Sequence, residues 1–345
     1  MFRAATFNAG LAVGMLPNAT ERLPHVIEAL AALDVDLLFV QEFWLDRHWQ
    51  ALKSALRPRL PVALRLKAVT GAGRPCTLAQ LAPLKRCAEA HCGGLRDEAL
   101  ARCVIQRCAT IGLQLPSDCL NCIASNPEGS LDEILGRCTA AADPPAELGD
   151  AGARERTGGE LIAYGGSFGT GLLLKEQPLA KASIVFESTI NARGAMYARV
   201  AGALGAEPLH VFAAHLSPGG AEQGPQVTQL LQFIDDKAGS APALLLGDLN
   251  LTPGSALFER LTRSGFREGN VLGGRGTYSG EGLETGRFGA SAWRLDHALL
   301  RSSDAELVTE RILDEPVLLD VGGRHTRSTL SDHAGLLVTI TTQSE

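Results

Sequence analysis

Apolar and polar positions along the chain fall into short runs whose period switches between that of strands and that of helices. Residues 2–7 suit a strand that closes on Asn8. Residues 21–33 place Leu23, Val26, Ile27, Leu30 and Leu33 at helical spacing, and VDLLFV then predicts a buried strand ending in Gln41 and Glu42. A helix is expected over 49–56, broken by Pro58 and Pro61. Four helical pieces follow, TLAQLAPLKRCAEAHC, LRDEALARCVIQRCATIGL, CLNCIASN and SLDEILGRC, separated by Gly and Pro. The polar stretch ADPPAELGDAGARERTGGE reads as a flexible return linker. Strand patterns resume at GTGLLLK, ASIVFE, AMYARVAGAL and LHVFAAHL. A helix over 226–237 precedes the buried run ALLLGDLN, and another over 256–264 follows it. WRLDHALL, the less regular ELVTERIL, and AGLLVTI complete the strands. Strands interleave with helices, yet several follow one another through short turns. That mixture predicts an α/β chain of stacked sheets covered by helices, in place of one purely parallel sheet.

The ends of those strands carry the chemistry. Asn8 closes the first, Glu42 the second, His215 the strand LHVFAA, and Asp248 and Asn250 the strand ALLLG. Asp296 sits inside WRLDHALL, while Asp332 and His333 open the last strand. Any one of these is ordinary turn chemistry, and a lone His215 reads as a satisfied core histidine. As a set they predict convergence in one cleft between sheets, because carboxylates and imidazoles are poorly tolerated in a core unless paired or metal-bound. Oxygen-rich donors without thiolates favour Mg²⁺, with Mn²⁺ as the alternative, over zinc. Histidines supply proton transfer near neutral pH, and an Asp held against one fixes its tautomer. Such a set suits hydrolysis of a phosphate ester by an activated water. His210, His297, His25, His48, His91 and His325 keep structural readings, and Trp44 and Trp49 read as packing.

Composition narrows the partners. The chain has 345 residues, 45% of them hydrophobic, and a net charge of −6. That balance argues against a groove holding nucleic acid by charge alone, but not against a nuclease whose metal supplies local positive charge. No run is long enough to span a membrane. All eight cysteines lie between Cys76 and Cys138. This boundary predicts a Cys-rich, mostly helical insertion over residues 69–159 within one catalytic domain over 1–345.

Four disulfides are favoured over a metal site or free thiols, since Cys119 and Cys122 form the only Cys-x-x-Cys pair. Their pairing cannot be deduced. Cys87 and Cys92, like Cys103 and Cys108, are five apart, about 140° around a helix. Disulfides imply an oxidising compartment, whereas MFRAATFNAGL lacks signal-peptide form. An extracytoplasmic location is favoured, through a trimmed start or a non-standard export route; with reduced cysteines and no export signal the protein is cytoplasmic. The insertion is expected to act as a lid or as a membrane- or partner-docking surface.

QE after a buried strand, GDLN, RLDH and SDH, in that order, resemble the endonuclease/exonuclease/phosphatase superfamily over nearly all the chain outside the insertion. The resemblance implies a four-layer α/β/β/α sandwich of two mixed sheets flanked by helices, with a Mg²⁺-dependent phosphoesterase site at one end. It implies Glu42 as principal metal ligand with Asn8 nearby, and Asp332 in the metal or its water shell. Asp248 and Asn250 would position or activate water and hold a phosphate oxygen. His333, oriented by Asp296, would be the base or the phosphate-stabilising histidine, and His215 would contact phosphate or assist the leaving group. RLDH departs from the more usual Tyr after the Asp. AAHLSPGG, NARGAMYARV and the long approach TYSGEGLETGRFGASAWRLDH are similar to the deoxyribonuclease-like and neutral sphingomyelinase-like branch, implying a phosphodiesterase acting on a phospholipid such as sphingomyelin. The alternatives are a nuclease, with Trp293 lining a base pocket, and a catalytically silent binding protein using the insertion. A monomer is expected.

Overall fold

A computed structural model describes residues 1–67, 76–139, 167–188, 192–204, 207–271, 276–289 and 293–342. The expected linker after the cysteines lies outside them, as do both limits of the expected insertion, 69 and 159.

The chain starts with β1 (Phe2–Asn8), α1 (Ala19–Ala31), β2 (Leu37–Gln41), α2 (Asp46–Leu56) and β3 (Val62–Lys67). Four helices follow: α3 (Leu78–Cys92), α4 (Asp97–Gly112), α5 (Ser117–Ser125) and α6 (Leu131–Thr139). Next come β4 (Ser167–Leu174), β5 (Ala180–Val185), β6 (Gly194–Leu204), β7 (Glu207–His215), α7 (Gln223–Ala238), β8 (Ala243–Asp248) and α8 (Ala256–Arg263). The remainder is β9 (Arg267–Glu268), β10 (Asn270–Val271), α9 (Gly282–Thr285), β11 (Asp296–Arg301), β12 (Ala305–Ile312), β13 (Pro316–Val321), β14 (Arg324–Thr329) and β15 (Gly335–Thr342).

Among the described residues these strands form a seven-stranded sheet, β10-β12-β15-β1-β2-β4-β3, and a six-stranded one, β5-β6-β7-β8-β11-β9. Each has a parallel pair near its centre, β1–β2 and β7–β8, flanked by antiparallel neighbours, so both are mixed. The near-continuous apolar runs of β2 and β8 follow from this position, since both faces of each strand are covered. One face of each sheet packs in a shared core of Phe2, Leu37, Phe39, Val211, Leu244, Leu246 and Val338. The outer face of the first sheet takes Val26 and Leu30 of α1 with Trp49 and Leu52 of α2. The outer face of the second takes Val227, Leu230 and Phe233 of α7 with Phe258 and Leu261 of α8. The layers are therefore α/β/β/α, as expected.

The differences are local. β3 follows Pro61 where no strand was expected, because its pattern is short and edge-like. The β13–β14 hairpin, turning at Gly322 and Gly323, stands apart as a two-stranded sheet. WRLDHALL is strand only from Asp296.

All eight cysteines are paired: Cys76–Cys119, Cys87–Cys108, Cys92–Cys103 and Cys122–Cys138. The middle two join α3 to α4. Cysteines five apart flank the contact line between the helices by roughly 70° on either side, so one interface admits both bridges.

Candidate active site

The two sheets deliver their polar strand ends to the same edge. In the first sheet Asn8 pairs with Gln41 across the parallel β1–β2 ladder, so Asn8 and Glu42 leave side by side. In the second, Asp296 lies opposite Asp248 in the antiparallel β8–β11 ladder, and Leu216, just past His215, donates its N–H to the Asp248 carbonyl. Glu42 and Asn250 both adopt the left-handed region, with φ of 62° and 51°. Each turn swings its side chain out of the strand direction, at a backbone cost of about 1–3 kcal/mol. Asn250 is held there by its N–H on Asp248 Oδ1 at 3.1 Å and by its amide NH₂ on the Leu216 carbonyl at 2.9 Å.

Asp248 is the hub. The Asn8 amide donates to its Oδ2 at 2.9 Å, His215 Nε2 lies 3.3 Å from the same oxygen, and His333 Nε2 lies 3.8 Å away. Behind His333, Asp296 Oδ2 sits 2.8 Å from Nδ1, which fixes the ring as an Nδ1–H donor. Burial pushes Asp248 up, but the His333 charge and the hydrogen bonds from His215 and Asn8 together hold it well below the usual carboxylate range. Burial works against a charged His333, yet Asp296 and Asp248 outweigh it and raise His333 well above the ordinary histidine value. His215 goes the other way: burial and the adjacent Arg193 cation lower it. Asp296 is raised by burial and by the charge of Asp248, against the pull of His333. Two histidines around one carboxylate thus differ in charge at neutral pH, a division that suits one to donate and the other to remain neutral.

A cleft of about 660 Å³ opens onto this edge, lined by Glu42, His215, Asp248, Asn250, Asp332 and His333. Asn8 and Asp296 stand behind them. Burial raises Asp332, and Glu42 raises it further; only His333, Arg22 and Ser331 counter this. Two carboxylates at one cleft wall, Glu42 and Asp332, are a donor set for a hard divalent cation. Asn8 presents its NH₂ to Glu42 Oε1 at 3.3 Å while its Oδ1 accepts from the Gly10 N–H, so as oriented it ties Glu42 to Asp248. Ligand atoms of Asp248, Asp296 and His333 also lie within 4.8 Å of one another. The His333–Asp296 hydrogen bond uses His333 Nδ1 and Asp296 Oδ2 and leaves Asp296 Oδ1 without a partner among the described residues.

Several participants carried little sequence signal. Arg193, 6% exposed, contacts both ring nitrogens of His215 and lines the cleft. Its one mark was the Arg-Gly opening of a strand. Trp44 packs, as expected, but its indole also donates to Glu42 Oε2 at 3.4 Å. The Tyr278 ring lies 4.9 Å from that of His333. Arg22 on α1 is fully buried and donates to four carbonyls, those of Pro17, Ala9, Gly10 and Leu330, at 2.5 to 3.0 Å. Nothing in a helical pattern marks it. His297, the residue in place of the usual Tyr, is wholly buried with Nδ1 2.8 Å from Glu268 and Nε2 2.6 Å from the Leu251 carbonyl.

The model of the Endonuclease/Exonuclease/phosphatase family matches residues 5–333. No curated protein matches the chain. Among solved structures, sphingomyelinase C from Streptomyces griseocarneus is 16% identical with a TM-score of 0.55, covering 98% of each chain. A beta toxin mutant from Staphylococcus aureus with bound magnesium ions is 12% identical with a TM-score of 0.58, covering 97% of this chain and 98% of its own. A mannosyl-6-phosphatase from Bacteroides thetaiotaomicron is 12% identical with a TM-score of 0.57, covering 99% of this chain and 100% of its own. At these identities the likeness is one of fold.

Proposed function

The chain belongs to the Endonuclease/Exonuclease/phosphatase family, and from that premise we propose that it is a divalent-metal-dependent phosphodiesterase whose substrate is a phospholipid headgroup ester such as that of sphingomyelin. The observation that carries the reading is the hub itself: Asp248 between His333 and His215, facing the Glu42 and Asp332 carboxylates across one cleft.

Glu42 and Asp332 would hold the metal, with Asn8 ordering Glu42 against Asp248. A bound Mg²⁺ supplies Lewis-acid stabilisation of phosphate and leaving-group oxygens. The chain's own residues do the rest. Asp248 orients the attacking water by accepting its hydrogen bond; the water oxygen bonds phosphorus as the ester P–O bond breaks, and the proton it loses passes through water to the leaving alcohol oxygen. His333, kept positive by Asp296, offers Nε2–H to the charge growing on the phosphate oxygens, and the Arg193 guanidinium lies beside His215 for the same purpose. Asn250 spends one amide hydrogen on Leu216 and keeps the other for a phosphate oxygen.

The lean towards lipid rests on the rim and the charge. Met15, Leu16, Trp44, Leu257 and Trp293 line the cleft with apolar surface, and a net charge of −6 opposes a long polyanion. One observation favours the nuclease reading: Trp293 is 64% exposed at the rim, where it could stack a base. A single panel decides: sphingomyelin, lysophospholipid, inositol phosphates, single- and double-stranded DNA, and RNA, each with Mg²⁺ and with EDTA. Turnover of a choline phospholipid that EDTA abolishes is expected. Glu42→Gln and His333→Ala should each lose activity on the order of a hundredfold or more while staying folded. A folded Glu42→Gln variant with full turnover would overturn the assignment.

A further inference from the structure

The four disulfide-linked helices α3–α6 carry none of the residues assigned above, yet one of them is bonded into the frame of the site. α1 begins at Ala19 after an Asn18 that makes no side-chain cap. Its first free amides, Ala19 N–H and Thr20 N–H, are instead accepted by the two carboxylate oxygens of Glu98, at 3.2 and 3.1 Å, from 78 or more residues away on α4. Arg102, one turn on, holds Glu98 by an ion pair of 2.9 Å. Ala101 of the same helix lies against the 12–16 loop so closely that a Cβ at Gly14 would come within 2.8 Å of it. That loop supplies Ala12, Met15 and Leu16 to the cleft wall.

The helix that Glu98 caps is the one that carries Arg22. Its guanidinium binds the carbonyls of Ala9 and Gly10, which follow Asn8, and of Leu330, two residues before Asp332. The first turn of α1 is therefore the strap between the two loops that present Asn8 and Asp332. Burial brings Arg22 down to about 10, against the raising effect of Asp332, Glu98 and Glu42, so these charges share one electrostatic field.

We propose that Glu98 is a positioning residue lent to the catalytic frame by the disulfide-held helices: it caps α1 and, through Arg22, sets the spacing of the Asn8 and Asp332 loops. A carboxylate at a helix N-terminus satisfies otherwise orphaned N–H groups and opposes the macrodipole. Supplying it from another segment makes the register of α1 depend on where α4 sits. Cys103–Cys92 and Cys108–Cys87 fix α4 to α3 a short distance beyond Glu98. The helices act as a brace on the cleft in this account, and the expected lid or docking role is not required.

This inference rests on the reading of Glu42 and Asp332 as metal carboxylates, and the experiment separates the two. Mn²⁺ binding is measured by calorimetry without substrate on the full chain, as wild type, Glu98→Gln, Glu98→Ala and the Cys92→Ser/Cys103→Ser pair. Turnover of the substrate found by the panel is measured alongside. Glu98→Ala should bind Mn²⁺ about fivefold more weakly, the loss expected of an N-cap. Its kcat should fall by more than its KM rises, because the Asn8 and Asp332 loops lose their strap while Trp44, Leu257 and Trp293 of the rim are held by other elements. Glu98→Gln, which retains one acceptor oxygen, should fall between, and the cysteine pair should shift in the same direction. Should Glu98→Ala fail to fold, Glu98→Gln carries the test. Folded variants with wild-type Mn²⁺ affinity and kcat would overturn the brace. Wild type that binds no Mn²⁺ would instead overturn the metal reading beneath it.

Discussion

At the scale of single residues, the site is a set of polar groups whose burial is tolerated because each is answered by another. His297 shows how far this extends beyond the groups that meet substrate. Both ring nitrogens face acceptors, Glu268 and the Leu251 carbonyl, so the ring clamps the loop that follows Asn250. Replacement by Phe keeps the volume and removes both contacts, leaving the buried Leu251 carbonyl short of a donor and Glu268 with Arg294 alone among the described residues. About 1–3 kcal/mol of stability should be lost, read as a lower urea midpoint, with a drop in kcat as Asn250 loosens. His48 shows the opposite condition. It is 1% exposed and its Nδ1 has no partner among the described residues, and burial, with the charges of Arg47 and Arg65, pushes it down to about 4. The unfolded chain takes up this proton near pH 6.5, whereas the folded protein resists until about pH 4. More protons on the unfolded side means that stability falls as pH drops through that window, by about 3 kcal/mol in total. Urea midpoints at pH 7 and pH 4.5 should therefore differ less in His48→Gln than in wild type. An unchanged pH slope would remove His48 from the acid response.

At the scale of elements, the strand endings explain both what the sequence made legible and what it hid. β8 reads as buried from its apolar run, and its Gly247 has a geometric cause: φ is 134°, and a Cβ there would come 2.1 Å from the Ala214 carbonyl of β7. The glycine lets β7 and β8 close on each other just where they release His215 and Asp248. Gly247→Ala should cost more than about 2 kcal/mol, measured by chemical denaturation, and should lower activity more than its stability loss predicts. A neutral substitution would mean that the strands can part there without consequence. Asn8, Glu42, His215, Asp248, Asn250, Asp332 and His333 could be named because each ends or opens an apolar run, and Asp296 because it sits charged inside one. The strand ladders then bring them together. Arg193 and Arg22 were missed for a physical reason: their use lies in hydrogen bonds to groups distant in sequence, and a strand-start or helix Arg carries no periodic signal. β3 and the β13–β14 hairpin were missed because edge strands bury too little of either face to write an alternation.

At the scale of the whole molecule, two kinds of core coexist. The sheets share large aliphatic and aromatic cores with their flanking helices. Among the described residues the helices α3–α6 bury two small clusters, whose buried leucines and isoleucine are Leu81, Leu84, Leu100, Leu115, Ile134 and Leu135. Clusters that small do not offset the chain entropy of four helices, so the cysteines must restrict the unfolded state instead. Closing the 43-residue separation of Cys76–Cys119 should contribute about 4 kcal/mol, and the 11-residue one of Cys92–Cys103 about 3. The two parts then differ in what holds them: one by burial, which reductant does not touch, and one by bonds that it breaks. Oxidised protein should melt in a single calorimetric transition, because α4 is bonded to α1 through Glu98. After complete reduction the helical segment should melt first and separately, with the near-UV signal of Trp49, buried between α2 and the first sheet, surviving that first step. A reduced protein that still melts in one transition at the oxidised temperature would mean that packing alone holds these helices, and that the disulfides add little to them.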